Sequence, residues 1–150
     1  MAKISEEEEE LRRLSIEMRL LEQTAETLQQ RIGMITTAMT DLSYAQMTLE
    51  SVEKEKEDTE LLVPIGGGSY LKAKLAAPDK VVVGIGAGVS VEKTLQEAKA
   101  MVKERLEEME KTLNAVQQQF AQVAERINAD RNRAEGLVGK LRGGKASSDV

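Results

Sequence analysis

The sequence predicts a mainly α protein with a small β section: a long antiparallel two-helix coiled coil whose arms are joined by two β-hairpins, through which the chain oligomerises. Three observations predict it. Two outer segments carry an apolar 3,4 repeat among strong helix formers. The segment between them changes to a period of two. Both prolines, Pro64 and Pro78, and six of the eleven glycines fall in that middle segment.

The first arm, residues 1–59, is proline-free. Leu11, Leu14, Met18, Leu21, Ala25, Leu28, Ile32, Ile35, Met39 and Leu42 follow the 3,4 spacing without a miss, which is the coiled-coil signature. The register then slips by one residue to Ala45, Leu49 and Val52, a phase change that locally overwinds the coil. The five glutamates at positions 6–10 suit the start of a helix, where negative charge meets the positive end of the helix dipole.

The β section spans residues 60–93. Leu61-Leu62-Val63-Pro64-Ile65 is apolar and ends in three glycines; Ser69 to Leu75 alternates polar and apolar residues. Ala77-Pro78-Asp79-Lys80 is a turn. Val81-Val82-Val83 starts a third strand, and Val89 and Val91 belong to a fourth beyond the Gly86-Ala87-Gly88 turn. Pro64 lacks an N–H and confines its strand to an edge or its end. Such a section leaves unpaired strand edges and apolar faces, so it needs other subunits.

The second arm, residues 94–142, opens on Thr94 and Glu97, a capping box. Leu95, Ala98, Val102, Leu106, Met109, Leu113, Val116, Phe120, Val123 and Ile127 form its stripe, continued by Asp130, Ala134, Leu137 and Leu141. Gly143-Gly144 ends the pattern, and residues 143–150 read as a disordered tail.

A helix of about 50 residues is roughly 75 Å long, and alone it leaves its stripe wet, so the arms should pair. A hairpin symmetric about the β section sets Leu11 opposite Leu141, Ala25 opposite Ile127 and Ile32 opposite Phe120, with Gly33 making room for the phenyl ring. Asp130 then lies on the seam, where an unpaired carboxylate is costly. Residues 1–15 and 135–150 are expected to fray.

Only three residues are aromatic, Tyr44, Tyr70 and Phe120, which fits a thin aliphatic seam better than a globular core. Without Cys or His the chain lacks thiolates and the usual neutral-pH base, so no disulfide, metal or cofactor is expected. The net charge of −5 argues against nucleic acid. No apolar run reaches membrane-spanning length, and the N-terminus is acidic where a secretory signal is basic, so a cytoplasmic protein without membrane contact is expected. Gly84-Ile85-Gly86-Ala87-Gly88 imitates a dinucleotide fingerprint, but Val89 occupies the third glycine position and no βαβ unit surrounds it. No carboxylate sits in a context suggesting a catalytic pocket, so no enzyme is expected.

Leu62-Val63-Pro64-Ile65-Gly66 with Gly68-Ser69-Tyr70-Leu71, then Val83-Gly84 through Glu92 and the Glu97-Ala98 helix start, resemble the archaeal prefoldin family over nearly the whole chain. Two hairpins between the arms resemble its alpha class, since the beta class has one. The resemblance implies a chaperone without ATPase activity. Two alpha and four beta subunits would join their hairpins in a β-barrel, from which six coiled coils hang. Their open ends would hold unfolded client proteins and pass them to a group II chaperonin. Substrate contacts would fall on Ile4, Leu11 and Leu14 of the first arm and on Leu137, Val138 and Leu141 of the second; the same residues could simply close the seam. Subunit assembly would use Val63, Ile65, Tyr70, Leu71, Val81, Val82, Val83, Val89 and Val91, some of them as core. The alternative is a structural scaffold or tether that oligomerises through its hairpins.

Overall fold

The computed structural model describes residues 4–148. Its elements run α1 (Glu6–Glu53), β1 (Glu60–Gly66), β2 (Ser69–Lys74), β3 (Lys80–Gly86), β4 (Val89–Thr94) and α2 (Leu95–Ser148). The chain forms two compact units, one of residues 1–36 and 112–150 and one of residues 37–111.

Both helices start where side-chain caps satisfy free N–H groups. The Glu8 N–H donates to Ser5 Oγ at 3.2 Å, with Glu6, Glu7, Glu8 and Glu9 in the first turn. At α2 the Glu97 N–H donates to Thr94 Oγ1 at 3.2 Å, and the Leu95 N–H is taken by the Asp79 carbonyl at 2.9 Å. Hydroxyls within α1 turn back on the helix: Ser15, Thr24, Thr27, Ser43 and Thr48 each donate to the carbonyl four residues earlier. That removes the competition with the backbone that makes these residues poor in helix interiors.

Every apolar stripe position named above is buried or half-buried, including Leu49, which confirms the register slip after Leu42. In the unit that holds the strands, the core is Leu49, Leu95, Ala98 and Val102, with Leu42, Ala45, Leu106, Val81 and Val83 packed against it. β3 therefore lays two alternate valines on the helical core and turns Val82 outward, as a period of two requires. The Arg105 guanidinium donates to the Gly84 carbonyl at 3.0 Å and ties β3 to α2.

Three features depart from expectation. α1 stops at Glu53, and residues 54–59 form a turn in which the Asp58 N–H donates to the Leu75 carbonyl at 2.8 Å. Asp58 has φ of 67°, a left-handed conformation that Asp tolerates better than most residues and that does not continue a helix. α2, by contrast, runs through Gly143-Gly144 to Ser148, where the sequence suggested a tail; two glycines cost about 1 kcal/mol each, too little to stop a helix already propagating. Residues 149 and 150 of that expected tail lie outside the described residues.

The third departure is register. A symmetric hairpin sets Glu10 level with Arg142 and Glu17 level with Glu135. The ion pairs formed are with Arg133 and Arg126, nine residues nearer the β section in each case. The connection is asymmetric, with six residues between α1 and β1 and none between β4 and α2, which contributes to the offset together with the reach of the long side chains. Next to the β section the Lys99–Glu53 pair keeps the symmetric alignment. Gly33 does not accommodate Phe120: a Cβ built there meets nothing within 4 Å.

The hairpins form two separate two-stranded antiparallel sheets, β1–β2 and β3–β4. They are copies of one design at an offset of 20 residues. Glu60 pairs Lys74 as Lys80 pairs Thr94, and Pro64 pairs Tyr70 as Gly84 pairs Ser90. Each ladder then shifts by one residue, leaving Ile65 and Ile85 as the bulges. Both loops are two residues long with positive φ at both positions: Gly67 at 57° and Gly68 at 75°, Ala87 at 52° and Gly88 at 75°. This is the type I′ geometry that matches strand twist.

Ala87 therefore occupies a left-handed position that its counterpart fills with glycine. Replacing Ala87→Gly is expected to stabilise the second hairpin by about 0.5–1 kcal/mol, strain relief outweighing the added chain entropy. Gly67→Ala should destabilise the first hairpin by a similar amount. Hydrogen exchange of the strand amides reads both, and protection that falls in the Ala87→Gly chain would refute the turn assignment.

Candidate interaction surfaces

The first surface lies on the hairpins. Leu62, Val63, Ile65, Tyr70, Leu71, Val82, Ile85 and Val89 are between 43% and 72% exposed. Six of these, Val63, Ile65, Tyr70, Leu71, Val82 and Val89, are among the residues the sequence pointed to for assembly. The other three of that set, Val81, Val83 and Val91, are half-buried, and Val81 and Val83 belong to the helical core. Leu62 and Ile85 were missed, although the 20-residue repeat makes Leu62 the equivalent of Val82 and Ile85 that of Ile65. Large apolar side chains exposed beside unpaired strand edges are what a protein normally covers with a partner. In the same unit, an open groove of about 410 Å³ runs beside β1, floored by Tyr44, Met47, Val52 and Leu61 with Glu55 and Glu60 at its rim. Tyr44, to which the spacing assigned no role, lines this groove.

The second surface lies in the unit that carries the chain ends. Ile4 is exposed, and Leu11, Leu14, Val138 and Leu141 are half-buried. Leu137 is only 1% exposed. Of the six residues named for substrate contact, Leu137 therefore closes the seam, because it points between the helices one turn beyond buried Ala134. Ile16, Leu20 and Met34 are exposed on α1 and were not foreseen. They lie off the 3,4 stripe, and large apolar residues at such positions were the readable signal.

Charge organises this second unit. Arg133 grips Glu10 with both Nε and Nη2, at 2.8 and 3.1 Å, and Arg126 Nε donates to Glu17 at 2.8 Å. Asp130 sits between them, 4% exposed, with Oδ1 3.4 Å from Arg126 Nε. Its Oδ2 is buried without a hydrogen-bond partner. Burial, then the charge of Glu17, pushes the Asp130 carboxyl above the usual carboxylate range, with Arg126 opposing. The hydrogen bond from Arg133 holds Glu10 below that range, and Lys99 and Gln96 do the same to Glu53.

Among the described residues no cluster of three or more acidic, His or Cys side chains could hold a metal, and no helix is long and apolar enough to cross a membrane. The arrangement offers surfaces for binding protein.

Comparison with known proteins agrees with this geometry. The family profile described as Prefoldin subunit matches residues 21–139. The chain is 34% identical over 120 residues to prefoldin subunit alpha of Methanococcoides burtonii, covering 80% of this chain and 87% of that one. It is 30% identical over 133 residues to prefoldin subunit alpha of Pyrococcus horikoshii, covering 88% and 90%. Among solved structures, filamentous PFD from Methanocaldococcus jannaschii superposes with a TM-score of 0.67 at 24% identity, covering 77% of this chain and 95% of that one. The prefoldin beta subunit from Thermococcus strain KS-1 superposes with a TM-score of 0.58 at 17% identity, covering 91% and 96%. These two likenesses establish the fold.

The buried carboxylate sets a pH dependence with a definite sign. Asp130 holds its proton to higher pH folded than unfolded, so its stabilising contribution is present at low pH and lost as pH rises through its raised folded value. Glu10 and Glu53 contribute above the ordinary carboxylate range and lose that contribution as pH falls through their lowered values. The unfolding temperature should therefore climb as pH is lowered from neutrality toward the ordinary carboxylate range, then drop below it. Asp130→Leu should raise stability near pH 7.5 and abolish the climb, since it removes the buried carboxylate while exposed Arg126 keeps Glu17 as its partner. A less stable variant at that pH would show that the carboxylate holds the seam together.

Proposed function

The chain belongs to the prefoldin family of chaperone subunits, and from that premise we propose that it is a holdase working without ATP. It captures unfolded proteins with the terminal parts of α1 and α2 and delivers them to a group II chaperonin. Its hairpins join those of beta-type subunits in a β-barrel, two copies of this chain with four beta-type subunits, in the cytoplasm and with no catalytic step of its own.

The observation that carries the reading is the pairing of two unlike surfaces on one chain. The hairpins expose eight large apolar side chains beside free strand edges, suited to permanent subunit contact. The chain ends expose Ile4 and half-expose Leu11, Leu14, Val138 and Leu141, suited to weak reversible contact with many sequences. Such contacts gain strength from repetition across linked arms.

Mixing the chain with a beta-type prefoldin subunit and weighing the product tests assembly, with a hexamer expected. Val82→Glu combined with Leu62→Glu should prevent it by placing charge on the outward hairpin face. Removing residues 1–10 and 142–150 should leave the hexamer intact but reduce its suppression of aggregation of a denatured client severalfold. Undiminished suppression by the trimmed hexamer would count against capture by the chain ends. Assembly without any client protection would favour a scaffold or tether.

A further inference from the structure

Along α2, beside the seam, Arg131, Ala134, Glu135, Val138, Gly139 and Arg142 line an open groove of about 400 Å³. Its floor is apolar and shallow for identifiable reasons. Ala134 is buried against the seam, Val138 is half-buried, and Gly139 contributes no side chain; a Cβ built there meets nothing within 4 Å. The arginines stand eleven positions apart, about 16 Å along the helix axis, one at each end of the floor.

The four arginines of this stretch divide into two kinds. Arg126 and Arg133 are committed across the seam to Glu17 and Glu10. Arg131 and Arg142 are exposed, and among the described residues neither has an ion-pair partner. Neither does work for the fold. Glu135 is the one acidic side chain on the rim.

We propose that this groove binds an extended client segment in which apolar side chains are flanked by two carboxylates. The apolar part lies over Ala134, Val138 and Gly139, and the carboxylates pair with Arg131 and Arg142, whose planar guanidinium groups suit that partner. An extended strand advances about 3.3 Å per residue, so the matching acids stand about five residues apart. A polyphosphate backbone is a poorer fit, because its charges are closer together and it has nothing to place on the apolar floor. The proposal rests on the reading that the chain ends hold clients and adds a charge preference to it.

The test uses the full chain assembled with its partner subunits and two labelled unfolded peptides. One has leucine and valine between glutamates five residues apart; the other carries lysines in place of the glutamates. Fluorescence anisotropy at low salt should show the acidic peptide binding about tenfold tighter, a difference equivalent to about 1.4 kcal/mol, with the gap closing in high salt. The double variant Arg131→Glu with Arg142→Glu should invert the preference. Gly139→Leu should weaken both peptides by filling the groove; circular dichroism verifies that each variant stays helical.

Equal binding of the two peptides, with aggregation suppression retained, overturns the charge preference and leaves client capture standing. Loss of self-association in the double variant, without any peptide preference, assigns the groove to the glutamates at positions 6–10 of another copy and overturns the proposal. No peptide binding and no suppression by the wild-type assembly removes the client reading itself.

Discussion

Two helices packed side by side bury one stripe each and no more, and this limit governs what else the chain must do. Among the described residues eight apolar side chains are buried, all on the helices, while fourteen large apolar side chains stay exposed. Most of the exposed set lies on the hairpins, which have only their own partner strand and, for Val81 and Val83, the helical core to rest on. Each such side chain left wet forgoes burial energy of roughly 25 cal/mol per Å², which a covering partner would recover.

Polar residues decide the alignment that the apolar stripe alone leaves loose. A 3,4 stripe of Leu, Ile, Val, Ala and Met fits its partner nearly as well after sliding by a heptad. The Arg133–Glu10 and Arg126–Glu17 pairs do not survive such a slide. Each is exposed and weak as a stabiliser, yet each acts on the choice among registers, where small differences suffice. Asp130 adds nothing to that choice, because the Arg126 guanidinium 3.4 Å from it lies four residues away on the same helix and moves with it in any slide.

Much of this was readable from residues, because the relevant signals are local. The seam positions follow from spacing, the α2 start from Thr94 and Glu97, and the turns from Gly67-Gly68 and Ala87-Gly88. What was not readable depends on distant partners. Nothing local sets the end of α1 at Glu53, which the Asp58–Leu75 hydrogen bond helps to terminate from 17 residues away. Nor does spacing reveal that Leu137 is buried deeply while Leu141, four residues on, is half-covered. Leu62 and Ile85 differ: the 20-residue repeat was present in the sequence, and aligning the hairpins on Ile65 and Ile85 places both. The composition that seemed poor in aromatics is a consequence of the same architecture, since a two-helix seam has little room for large rings.

The two surfaces differ in the strength of contact they support, and under the proposed function that difference would tie assembly to capture. On each hairpin the exposed residues are held by the strand ladder, so a partner strand meets them at little ordering cost. At the chain ends the exposed apolar groups are spread along helices, and Leu11, Leu14, Val138 and Leu141 have already given half their area to the seam. One arm can then offer only a fraction of the contact area of a stable interface. A client held by a single arm would dissociate readily, whereas arms fixed in one assembly raise the local concentration of the next site as soon as the first is occupied. On the proposed function, retention would follow from how many arms the hairpins bring together, and release would need only the successive loss of contacts that are individually weak.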